Sequence, residues 1–279
     1  VNASGDQAQP TVRLQLAGND LSFQDMALAR LTAEGSVTLS DSLPMDLSVQ
    51  ASRIRSGETW LGNLAVDLEG DKARHGLAIN LSGGQFEVDT RLTGGLDDTR
   101  WLGALTRGEL AFEDMTWRLA DDAGIRYQLE PARLTLEEHC WAHEGGRLCF
   151  EGQQRLLPDR EVSLVLSDFP LASLEPWLPE DLAWQGSLNA EVDFSQAAGG
   201  QPVANLAIGS RNGVISISNP EQTLDFDYSQ LELTSQLDAA QARNRLILTG
   251  ETLGELEILA NVSDPAGEQR LSGSFDLQG

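Results

Sequence analysis

Apolar residues recur at every second position through most of the chain. Val12, Leu14 and Leu16 alternate with Arg13 and Gln15; Met45, Leu47, Val49 and Ala51 alternate with Asp46, Ser48 and Gln50. Leu64, Val66 and Leu68 follow the same rule, as do Leu77, Ile79 and Leu81, then Phe86, Val88 and Leu92. Further along come Val162, Leu164 and Leu166; Leu188, Ala190, Val192 and Phe194; Leu224, Phe226 and Tyr228; and Phe275 with Leu277. Successive side chains of a strand point to opposite faces, so each run predicts a strand with one apolar and one polar face. At roughly 14–18 residues per strand and turn, the chain holds about 16–19 strands. Glycines punctuate the runs, as at Gly62, Gly76, Gly84, Gly108, Gly186 and Gly273, where turns or strand bends need them. The parity changes once, between Leu110/Phe112 and Met115/Trp117/Leu119, which predicts a β-bulge near Asp114.

Helix signals are few. The segment 170–179 starts with Pro170 and carries Pro176 and Pro179, which limits it to about two turns. Residues 97–105 (DDTRWLGAL) predict another short turn of helix. The proline-rich stretch divides the chain into a first β part at 1–167, a short insert at 168–181 and a second β part at 182–279. Segments 196–202 and 264–268 read as long hairpin loops. Residues 1–10 and the final alternating run read as cuts within a longer protein.

A one-sided sheet of this many strands, without helices to cover it, has three solutions: a sandwich packed on itself, a closed barrel, or a long sheet curled into an open trough. Ligand-holding barrels take about eight strands, too few for this chain. A sandwich would call for a dense aromatic core, whereas the inward positions are chiefly Leu, Val and Ile, with 8 Phe in 279 residues. The trough fits best, with the β-sandwich as the alternative.

Charge narrows the function. Nineteen basic side chains against 43 acidic ones give a formal charge of −24. That argues against nucleic acid and against docking by charge on an anionic membrane. No apolar stretch reaches the roughly 20 residues of a spanning helix. No nucleophile motif, metal-ligand spacing or phosphate-cradling loop is present, so neither an enzyme nor a cofactor is expected.

The two cysteines sit in the run 139–149 (HCWAHEGGRLC). A hairpin centred on Glu144-Gly145 pairs 143 with 146 and, by alternation, makes 140/149 a non-hydrogen-bonded pair. Such pairs are the closest in a sheet and can be bridged, so Cys140 and Cys149 are expected to form a disulfide, the mark of an oxidising compartment. His139 and His143 are too few for a closed metal site and read as exposed hairpin residues.

Three features in linked order resemble the TamB family of translocation and assembly module proteins, within the broader AsmA-like group. They are the unbroken one-sided strands, the hairpin Cys140-Trp141 … Leu148-Cys149-Phe150-Glu151-Gly152, and the following Phe169-Pro170-Leu171 … Leu174-Glu175-Pro176-Trp177-Leu178-Pro179 with Leu182-Ala183-Trp184-Gln185-Gly186. The resemblance implies a Gram-negative periplasmic trough, called a β-taco, carried by an inner-membrane-anchored protein. It also implies an outer-membrane barrel partner of the BamA-like class, met through regions outside this fragment. Family roles are outer-membrane biogenesis, assembly of autotransporters and phospholipid movement between membranes.

Two functions follow as expectations. As a lipid conduit, a monomeric trough would hold phospholipid acyl chains against Leu47, Val49, Leu64, Val66, Leu77, Ile79, Phe86, Val88, Leu164, Leu166, Val192 and Phe194. As a chaperone-like scaffold, it would take unfolded outer-membrane strands at a sheet edge or in the groove. An adhesin-like rod with a filled sandwich and functional loops is the third reading.

Overall fold

A computed structural model describes residues 2–6, 9–251, 254–265, 267 and 269–279. The chain divides into two compact units, Val1–Leu134 and Thr135–Gly279. The first contains β1 (Asn2–Asp6), β2 (Gln9–Phe23), β3 (Met26–Thr38), β4 (Met45–Ser56), β5 (Thr59–Gly70), β6 (His75–Ser82), β7 (Phe86–Leu96), β8 (Arg100–Phe112), β9 (Met115–Leu119) and β10 (Ala123–Gln128). β11 (Arg133–Leu136) carries the boundary. The second contains β12 (His139–His143), β13 (Gly146–Phe150), β14 (Gln154–Leu157), β15 (Arg160–Pro170), β16 (Leu182–Gln185), β17 (Ser187–Gln196), β18 (Val203–Ser218), β19 (Thr223–Leu237), β20 (Gln241–Gly250), β21 (Gly254–Ser263) and β22 (Arg270–Gln278). Its one helical element is a 3-10 helix, Leu171–Trp177, among the described residues.

Each unit is an antiparallel meander. In the first, every strand from β1 to β8 pairs with the next, and β9 and β10 run end to end along β8. In the second, β12, β13, β15, β17, β18, β19, β20, β21 and β22 follow one another, with β14 beside β15 and β16 beside β18. Among the described residues no ladder joins the first strand of a unit to its last, so neither sheet closes into a barrel.

Two expectations are corrected here. The parity change at residues 112–115 is a hairpin, not a bulge: Phe112 pairs with Met115 across Glu113-Asp114, and residues paired across a two-residue turn share a face. Residues 97–105 are not helical; they are a hairpin loop and the start of β8. Asp97 Oδ1 accepts the Thr99 and Arg100 amides at 2.9 Å, and the Asp97 amide donates to the Arg100 carbonyl. Asp71, Asn219 and Asp238 close their loops by the same three bonds. A short acceptor side chain bonded two and three residues ahead starts either a helix or a loop, and here the downstream alternation decides for a strand.

One bulge recurs in each unit. Arg53 (φ 53°) interrupts β4 and Asp168 (φ 52°) interrupts β15, each directly after a serine. In both, an asparagine on the neighbouring strand takes the freed amide: Asn63 Oδ1 from Arg53 at 3.1 Å, Asn189 Oδ1 from Asp168 at 3.0 Å. The extra residue switches the parity, so Ile54 and Phe169 turn onto the apolar face, where each is 5% exposed.

Few apolar side chains are buried that deeply. The sheets leave most of their apolar face half-exposed, with Leu16, Leu110 and Phe275 at 52%, 41% and 79%. Two compact units sharing 30.2 kDa equally would together expose about 14,000 Å². This chain exposes 17591 Å². That larger surface goes with the exposed apolar side chains just named and with sheets that stay open.

Candidate functional site

In the first unit, cross-strand register lines up rows of apolar side chains. Leu14, Gly35, Leu47, Leu68, Leu77, Leu92 and Leu105 form one row, and Leu16, Ala33, Val49, Val66, Ile79, Thr90 and Gly108 the next. The opposite face reads Gln15, Glu34, Ser48, Asp67, Ala78, Arg91 and Arg107. Directly opposed residues of an antiparallel pair lie on one face, so the rows follow from register alone. At the rim of the apolar face the Trp101 indole lies over Gly94 and Gly103, where a Cβ on either would come within 2.7 Å of the ring. Its Nε1 donates to His75 Nε2 at 2.6 Å, and His75 Nδ1 donates to the Asp71 carbonyl at 2.9 Å.

In the second unit one row runs through nine strands: Trp141, Leu148, Leu166, Ala190, Ile208, Leu233, Leu246, Ile258 and Phe275. Here part of the face is covered by the 3-10 helix. Leu171 is fully buried, and its amide donates to the Gly186 carbonyl. Nearby, Tyr228 is 2% exposed and its hydroxyl accepts from Trp184 Nε1 at 3.1 Å and lies 2.6 Å from Ser210 Oγ. Gly213 leaves the space that the Tyr228 ring occupies.

The hairpin histidines are buried, contrary to expectation: His139 and His143 are each 4% exposed. His139 stacks on Phe150 with centroids 4.5 Å apart and donates Nδ1–H to the Glu137 carbonyl. His143 Nε2 lies 3.1 Å from Ser173 Oγ of the 3-10 helix, and its ring meets Phe169. Both histidines share the apolar face with Trp141, whereas Cys140 and Cys149 pair on the opposite face and are bonded, with Cα atoms 4.1 Å apart. Among the described residues no group of three or more His, Cys, Asp or Glu could hold a metal ion.

The cross-strand ion pairs lie on the polar faces. Asp89–Arg107 and Glu109–Arg118 link neighbouring strands of the first unit and Glu69–Arg91 reaches from β5 to β7 across β6, while Arg155–Glu161 and Arg245–Glu257 link neighbours in the second. Exposed pairs of this kind contribute at most about 1 kcal/mol each, so they orient the surface more than they hold the fold. The Thr99 amide and then the Arg100 side chain lower the Asp97 pKa to about 2. The Ala240 and Gln241 amides likewise lower that of Asp238.

Leu47, Val49, Leu64, Val66, Leu77, Ile79, Phe86 and Val88 share one face of the first unit, and Leu164, Leu166, Val192 and Phe194 one face of the second. All are half-buried except Phe86, which is 40% exposed and stacked on Phe112. The rows add Leu31, Leu68, Leu92, Ile208, Leu233 and Ile258 to these faces. Those six were open to discovery by counting outward from each short hairpin turn, which fixes which positions oppose one another.

No helix among the described residues is long and apolar enough to cross a membrane. No solved structure matches the chain. It is 24% identical over 155 residues to the translocation and assembly module subunit TamB of Haemophilus influenzae, an alignment covering 54% of this chain and 12% of that relative's length. The family described as "TamB, N-terminal domain" matches residues 1–279, the whole sequence. This chain of one-sided antiparallel meanders with a disulfide hairpin is, on that match over its whole length, a member of the TamB family.

Proposed function

We propose that the uncovered apolar face of each unit holds phospholipid acyl chains, as a periplasmic part of an inner-membrane-anchored bridge serving lipid transport and outer-membrane biogenesis. The observation that carries this is the set of apolar rows of Leu, Val, Ile and Ala, free of Asp, Glu, Lys and Arg, that continue from strand to strand while staying half-exposed. Each buried CH₂ contributes about 0.8 kcal/mol, so a sixteen-carbon chain gains roughly 10 kcal/mol on full transfer and about half that in an open groove. Rows of similar Leu, Val and Ile repeat that gain at each strand, which lets a chain slide without a deep trap. The partner of the bridge is a BamA-like outer-membrane barrel met outside these residues.

A second reading is a chaperone-like scaffold, in which strands of an outer-membrane protein or autotransporter compete with lipid for the same half-exposed apolar rows. The test places a photo-crosslinking residue at Ile79 or at Asn80 in protein made in a Gram-negative periplasm, followed by mass spectrometry. Ile79 faces the apolar row and Asn80 the polar side. Phospholipid adducts at Ile79 alone support the groove; adducts at neither, or peptide adducts in their place, refute it.

A further inference from the structure

A directly opposed polar pair interrupts the apolar rows of the second unit. In the row Phe150, Leu164, Val192, Leu206, the next two positions are Ser235 on β19 and Asn244 on β20, directly opposed. Leu233, Leu237 and Leu246 flank them along their own strands, and small Ala260 and Gly273 continue the row on β21 and β22. Ser235 Oγ donates to Asn244 Oδ1 at 2.7 Å, and Asn244 Nδ2 donates to the Ala260 carbonyl at 3.1 Å. Both side chains are half-buried, open to whatever lies in the groove.

The hydrogen-bond inventory leaves capacity over. An amide nitrogen carries two donors, of which one is used, and the serine oxygen keeps its acceptor sites. One Nδ2–H of Asn244 is therefore left over at a spot bordered by leucines and by side chains no larger than a methyl group. An acyl lipid has one part that sits next to its hydrocarbon and accepts hydrogen bonds without charge, the ester carbonyl at the head of each chain. Phosphate or a sugar headgroup, being strongly hydrated, stays at the groove mouth in water.

We propose that Ser235 and Asn244 form a polar station that takes the ester carbonyl of an acyl lipid lying in the groove, with Asn244 as the donor. The inference rests on the groove reading and deepens it: such a station sets the register of the lipid across the strands and selects ester-linked lipids over those lacking a carbonyl.

The whole chain is incubated with an equimolar mixture of diester phosphatidylglycerol and its dialkyl ether analogue of equal chain length, and both bound species are quantified by mass spectrometry. One added neutral hydrogen bond predicts an ester-to-ether ratio of about threefold to tenfold in the unaltered protein. Asn244→Leu, which suits the apolar face, brings the ratio close to one while total lipid is retained; Asn244→Ala reads the same ratio should the leucine variant misfold. Equal binding of the two lipids by the unaltered protein, or a ratio unchanged by Asn244→Leu, overturns the station and leaves the groove standing. Absence of both lipids overturns the groove and the station with it. A pair that merely pins strand register would change stability and leave the ratio where it was.

Discussion

Replacing Tyr228 by Phe tests how the second unit is held together. The ring stays and one oxygen goes. That oxygen bonds to Ser210 Oγ at 2.6 Å and accepts from Trp184 Nε1 at 3.1 Å. Ser210 is 1% exposed, so its hydroxyl becomes a buried group without a partner, at a cost of about 1–3 kcal/mol. Trp184 is half-buried and reaches water, so its lost bond costs about 1 kcal/mol. The expected destabilisation is about 2–4 kcal/mol. Adding Ser210→Ala removes the orphaned hydroxyl, and the double variant should regain about 1–2 kcal/mol relative to the single one. Native-state hydrogen exchange at the amides of β18 and β19 measures the local opening free energy without assuming that the two units unfold together. A single variant within about 0.5 kcal/mol of the parent, or a double variant less stable than the single, would refute a stabilising role for the hydroxyl. Packing of the Tyr228 ring over Gly213 would then be what holds this part of the sheet.

The Cys140–Cys149 bond closes a short loop, and loop-closure entropy for about ten residues gives roughly 2.7 kcal/mol. Cys140→Ser with Cys149→Ser should lower the stability of the hairpin by about that amount, read by exchange at β12 and β13; an unchanged hairpin would show that the 3-10 helix alone holds it. Asp97 has its pKa depressed in the folded chain, so its contribution to the β7–β8 loop is present above the ordinary value of 3.8 and is lost as pH falls towards about 2. The carboxyl carbon shift of Asp97 followed by NMR should titrate near 2, and a midpoint at 3.8 would mean that the Thr99 and Arg100 contacts are absent in solution.

The sequence by itself determined the strands, their one-sidedness and the register of the cysteine hairpin. Those features rest on period-two alternation and on turns a few residues long, so each is written within a dozen positions, as in Met45–Ser56 or in the hairpin at 139–150. Strand count and the aliphatic inward positions favoured an open trough and left the β-sandwich as the alternative; the unclosed sheets are a result of the structure. Local signals misled where one motif serves two structures. Asp97 with its two forward amide bonds suited a helix start until the neighbouring strands claimed Arg100 onwards.

Tertiary structure alone decided what depends on residues far apart. His139 and His143 became buried because Phe150, Phe169 and Ser173 close over them, the last 30 positions away from His143. The bulge at Asp168 requires Asn189, 21 positions away on the next strand in register, to take the freed amide. Alternation specifies which face a residue occupies; only pairing specifies its neighbours there, because the free energy of a polar group on an apolar face depends on the partner that meets it.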